Sequence, residues 1–166
     1  MATRRESILG AGTVPDNSGN VFFEPYSIKA TNGNWPGLVA IFNDSGTRIG
    51  LHGRFKIPAA YVGTAKIIVS WTSTATSGDT EWDFDYRAVA IGESLDQATP
   101  QESVNQEDTA PGSTDLFGEA ALVLTSGNFA AGDIVEFTIW RDGTDGGDTM
   151  AAAAILFDLE FEYADA

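Results

Sequence analysis

Asp79-Thr80-Glu81-Trp82-Asp83-Phe84-Asp85-Tyr86-Arg87-Ala88-Val89-Ala90-Ile91 is written in strict alternation. Side chains on a β-strand project to opposite faces with period two, so Trp82, Phe84, Tyr86, Ala88 and Ala90 fall on one side. Glu81, Asp83, Asp85 and Arg87 fall on the other. A segment of this kind is stable only when its apolar side is covered, and a slip of one residue would expose all of it. The stretch therefore predicts one wall of a two-layer β structure.

The same grammar extends outward in both directions. Strands are predicted at 21–28, 37–43, 49–57, 64–73, 79–91, 115–125, 133–141 and 149–163, separated by turn clusters such as Thr76-Ser77-Gly78-Asp79 and Asp142-Gly143-Thr144-Asp145-Gly146-Gly147-Asp148. Alternation places Leu51, Gly53, Phe55 and Ile57 inward and leaves His52, Arg54 and Lys56 as an outward basic stripe. Ile67, Val69 and Trp71 point in, as do Val135, Phe137 and Ile139, with Glu136, Thr138 and Trp140 out. On the last strand Ala151, Ala153, Ile155, Phe157, Leu159, Phe161 and Tyr163 are expected inside. No segment sustains helical periodicity. About eight antiparallel strands ending in a long central one favour an all-β, jelly-roll-like sandwich over a barrel. Residues 1–20, poor in large apolar side chains, read as an extended N-terminal arm, and 21–166 as the sandwich domain. The stretch 92–114 lacks apolar anchors and reads as an exposed loop.

Composition narrows the function. The 166 residues suit one domain with a core of its own, and the absence of cysteine excludes disulfides and thiolate zinc sites. A formal net charge of −15 repels nucleic acid and anionic membrane surfaces. No apolar run approaches the roughly 20 residues of a membrane span, and the start of the chain lacks the apolar centre of a signal peptide.

Catalytic chemistry has little foothold. The carboxylates of 81/83/85 and 158/160/162 are neighbours by strand geometry, and none stands in an obviously desolvating setting. His52 has no second histidine or cysteine to join it in a transition-metal site, and no nucleophile elbow or phosphate-cradling glycine motif is present. Asp142, Asp145 and Asp148, three apart among glycines, form a candidate calcium loop, with an ordinary solvated turn as the alternative. Trp71 and Trp82 read as core. Trp140 and Trp35, together with Arg4 and Arg5 of the arm, are the candidate binding or interface residues.

Gly63–Trp71, Ser77–Arg87, Gly92–Asp96 and the run from Ala131 through Asp142, on to Asp148-Thr149 and Phe161-Glu162-Tyr163, resemble small β-sandwich virion proteins of tailed bacteriophages. Together they span most of residues 50–166. The resemblance implies a non-enzymatic structural protein of the virion: a capsid decoration (cement) protein, typically a jelly-roll homotrimer bridging major capsid subunits. The alternative it implies is a tail fibre or receptor-binding, carbohydrate-binding module. It carries no catalytic residue set.

Overall fold

The structure, a computed structural model, describes residues 2–10, 12–26, 37–96 and 100–166. Eleven strands run through them: β1 (Thr3–Ser7), β2 (Val14–Pro15), β3 (Val21–Pro25), β4 (Leu38–Phe42), β5 (Arg48–Lys56), β6 (Tyr61–Ser73), β7 (Asp79–Val89), β8 (Glu102–Thr109), β9 (Gly118–Leu124), β10 (Ile134–Asp142) and β11 (Ala154–Asp165). The first sheet has the order β3-β4-β11-β6-β9, with β1 also paired to β11. The second has the order β2-β5-β10-β7-β8. Every pairing is antiparallel. From β4 to β11 the chain changes layer at each step except β7 to β8, which winds it into a jelly-roll-like sandwich.

The core lies between the sheets, where the alternation put it. Trp71 and Trp82 are fully buried and meet edge to face at 5.9 Å. Phe42, Phe84, Phe137, Phe161, Ile67, Val69 and Leu122 fill the rest, in the edge and offset ring geometries that aromatic quadrupoles favour. Among the described residues the helical content is one 3-10 turn at Ser126–Asn128.

Three expectations are corrected. The stretch 92–114 contains a strand, β8, paired with β7 from Asp79↔Thr109 to Tyr86↔Glu102. As an edge strand it has one neighbour, so it needs only Val104 as an apolar contact and carries polar side chains elsewhere. Side-chain bonds reinforce the ladder: Trp71 Nε1 donates to Asp108 at 2.7 Å, and the Tyr86 hydroxyl donates to Glu102.

The face assignment of β11 holds only after residue 158. A register shift between Leu156 and Asp158 inverts the alternation. Ala154, Leu156, Leu159, Phe161 and Tyr163 therefore enter the main core, whereas Ile155 and Phe157 turn to the outside of the sheet. There, with Tyr26, Val39 and Ile41, they form a small second cluster.

The described part of 1–20 is not an arm without a core. β1 pairs with β11 from Thr3↔Ala164 to Ser7↔Glu160, β2 pairs with β5, and Ile8 is buried in the main core. β1 itself is polar; the burial of Ile8 just after it anchors the segment, and charge pairs line the strand. Arg5 reaches Glu162 (2.8 Å), Glu119 (2.9 Å) and Glu160 (3.6 Å), and Arg4 binds Asp165.

Candidate functional site

The outer face of the second sheet concentrates polar, charged and aromatic side chains in fixed geometry. β10 is its middle strand and presents Glu136, Thr138, Trp140 and Asp142. Register places Trp140 between Gly50 of β5 and Asp83 of β7, Thr138 between His52 and Asp85, and Glu136 between Arg54 and Arg87.

Trp140 is half-buried, not the open platform its sequence position suggested. Its six-membered ring occupies the space a side chain at position 50 would need: a Cβ on Gly50 would lie 2.4 Å from it. Glycine there lets the indole lie down on the neighbouring strand. Indole Nε1–H donates to Asp85 Oδ2 at 2.9 Å, the Arg48 guanidinium sits 4.7 Å from the ring centroid, and His52 meets the ring edge-on at 5.7 Å. His52 Nδ1 is in turn 2.8 Å from Thr138 Oγ1.

Arg48 is the hub of the acidic end. It pairs with Asp83 at 2.7 Å, Asp85 at 3.0 Å and Asp142 at 3.6 Å. Burial pushes the Asp83 carboxyl up to about 6. Arg48 opposes the shift, and Asp142, which shares a hydrogen bond with it, adds to it. Asp142 goes the other way: burial works against ionisation, but hydrogen bonds from the Thr144 hydroxyl and N–H, together with Arg48, hold it below the usual carboxylate range. The expectation that no carboxyl would be desolvated thus fails at Asp83. Alternation shows which face a residue takes but not the partners that crowd it.

The three aspartates of the candidate calcium loop have separate partners. Arg141 is the last inward residue of β10 and is buried among apolar side chains. Asp148 accepts from its Nε and Nη2, both at 2.8 Å, while the Ala152 and Met150 carbonyls accept two more bonds at 2.6 Å each. Asp142 faces Arg48, and Asp145 accepts the Gly147 N–H at 2.8 Å. The three aspartates do not converge, and among the described residues no group of three or more His, Cys, Asp or Glu side chains is arranged to hold a metal. A buried guanidinium needs a carboxylate more than a solvated turn does, and Asp148 is spent on it. Sequence reading missed Arg141, whose signal was a charge on an inward position of the alternation.

Of the other candidates, Arg4 and Arg5 lie on the opposite sheet, engaged by their own chain. Trp35 lies outside the described residues.

The chain shares its fold with carbohydrate-binding modules. CBM35 from Paenibacillus barcinonensis superposes with a TM-score of 0.57 at 17% identity, over 97% of this chain and 98% of that one. The xylan-binding CBM22-1 domain of Xyn10C from the same organism gives 0.55 at 12%, over 98% and 94%. A family 35 carbohydrate-binding module from Clostridium thermocellum gives 0.55 at 12%, over 99% of each chain. No protein-family model and no curated protein matches the sequence. At such identities the likeness establishes the jelly-roll sandwich and no residue correspondence.

Proposed function

We propose that this protein is a non-catalytic carbohydrate-binding module whose ligand face is the outer surface of the second sheet. The observation that carries the reading is the row Arg48–Trp140–Asp85, an aromatic ring on an exposed sheet face, fixed by a cation on its ring and a carboxylate on its N–H. Sugars offer apolar C–H faces rimmed by hydroxyls, and this row supplies the complement: an indole beside carboxylate acceptors. Holding the groups in place before ligand arrives lowers the ordering cost of binding. The shared fold with modules named for carbohydrate or xylan binding supports the reading by analogy.

Hydrolysis fits the same residues poorly. Glycosidase carboxyl groups stand about 5–10 Å apart across the scissile bond, whereas Asp83 and Asp142 are both drawn onto Arg48. β1, in the stretch read as an extended arm, is paired within its own sheet, which weighs against a free tether to a capsid.

Isothermal titration against a panel of soluble plant and microbial polysaccharides tests the proposal. Trp140→Ala should weaken binding of the best glycan by roughly thirtyfold, the loss of a buried aromatic anchor worth about 2 kcal/mol. Undiminished affinity in that variant, or no binding by the wild type to any glycan, rejects it.

A further inference from the structure

On the same face, the structure assigns a second subsite beside Trp140, a notch at Arg54 that receives an anionic substituent of the glycan, uronate or sulfate ester; this rests on the proposed carbohydrate reading. In a chain of net charge −15, four of the nine Lys and Arg residues, Arg48, Arg54, Lys56 and Arg87, lie on this one sheet face. Arg48 belongs to the acidic end and is consumed there. Arg54 and Lys56 are exposed, and neither makes an ion pair with any described residue. Carboxylates are abundant in this protein, and Glu136 is the register partner of Arg54, yet it makes no ion pair with it. The β5 side of the face therefore presents two unneutralised cations while its β7 side near Trp140 is acidic.

A concavity of ≈ 220 Å³ opens beside Arg54, lined by Gly12, Val14, His52, Gly53, Arg54 and Glu136. That is smaller than the roughly 300–1,000 Å³ of pockets that enclose whole ligands, and suits one substituent of a chain lying across the sheet. Its wall is the N-terminal segment, brought there by the pairing of Val14 with His52. His52 links it to the aromatic row, edge-on to Trp140 on one side and two residues, about 7 Å, from Arg54 along β5. One oligosaccharide thus spans both. A guanidinium offers a carboxylate or sulfate paired donors in a planar fork, and Lys56 adds a second positive charge. Glu136 opposes the anion and is outnumbered by Arg54 and Lys56.

The test is titration calorimetry with matched pairs: oligogalacturonate against its fully methyl-esterified form, and a sulfated galactan oligosaccharide against its desulfated form. Wild type should prefer at least one anionic member over its neutral counterpart by tenfold or more. The doubly substituted Arg54→Ala, Lys56→Ala protein should lose that preference while keeping the neutral affinity. Which pair shows the preference distinguishes carboxylate from sulfate. Equal affinity within both pairs, or a preference that survives the double substitution, overturns the subsite. If Trp140→Ala still weakens glycan binding in that event, the carbohydrate reading stands without it. If no glycan binds the wild type at all, both fall together.

Discussion

Replacing Asp148 with alanine separates a structural aspartate from a metal ligand. In the folded protein Arg141 is 1% exposed and its charge is met by a bidentate pair to Asp148 at 2.8 Å. Among the described residues Asp44 is the only other carboxylate within ion-pair range, at 3.5 Å and largely exposed. Asp148→Ala leaves the guanidinium with the carbonyls of Ala152 and Met150 as its close acceptors. Removing one partner of a buried pair costs about 3–5 kcal/mol, because the remaining charge keeps its desolvation penalty. For a domain of this length, each kcal/mol moves Tm by about 2–4 °C, so the expected fall is on the order of 6–20 °C. Differential scanning calorimetry in the presence and absence of a chelator measures it. The account predicts a large drop in Tm for the variant and the same wild-type Tm with and without chelator. A fall below 2 °C, or a wild-type Tm that drops on chelation, refutes the reasoning.

Further outcomes follow from the same geometry. Gly50→Val drives a side chain into the Trp140 ring; it should cost about 1–3 kcal/mol in chemical denaturation and weaken glycan binding as strongly as Trp140→Ala. Asp83, pushed up to about 6 against roughly 3.9 in the unfolded chain, binds its proton more tightly when folded, so its contribution is full below about pH 4 and is lost as pH rises through 6. Asp83→Asn should therefore shrink the stability lost between pH 4.5 and pH 7 by about 2 kcal/mol, read from urea midpoints; an unchanged loss contradicts the desolvation. Ile8→Ala should cost about 2 kcal/mol as a core deletion, whereas Arg5→Ala, on an exposed network, should cost less than about 1 kcal/mol. The reverse order would mean that charge, not burial, holds the N-terminal segment.

The sandwich was legible because alternation is a direct record of burial. Trp82, Phe84 and Tyr86 are buried as read, and so are Val135, Phe137 and Ile139. Legibility failed where stability comes from something other than the period of the strand itself. β8 is held by its ladder to β7, which leaves no apolar signature in Glu102–Thr109. The irregularity after Leu156 inverts β11, and no residue type there announces it. At the site, sequence singled out Trp140 but not the company it keeps. Gly50, Arg48 and Asp85 come from two other strands and meet it only through register. Asp142 and Asp148 were noticed for their spacing, while their partners Arg48 and Arg141 decide what they do.

Amide and indole chemical-shift mapping during titration with the best-binding oligosaccharide tests the central claim. The Trp140 indole N–H, held by Asp85, reports on the row from a single resonance. The account predicts the largest shifts at that indole and at the backbone of Gly50, His52 and Thr138. Shifts confined to the 142–150 loop or to the outer face of the first sheet, with the Trp140 indole unmoved, would contradict it.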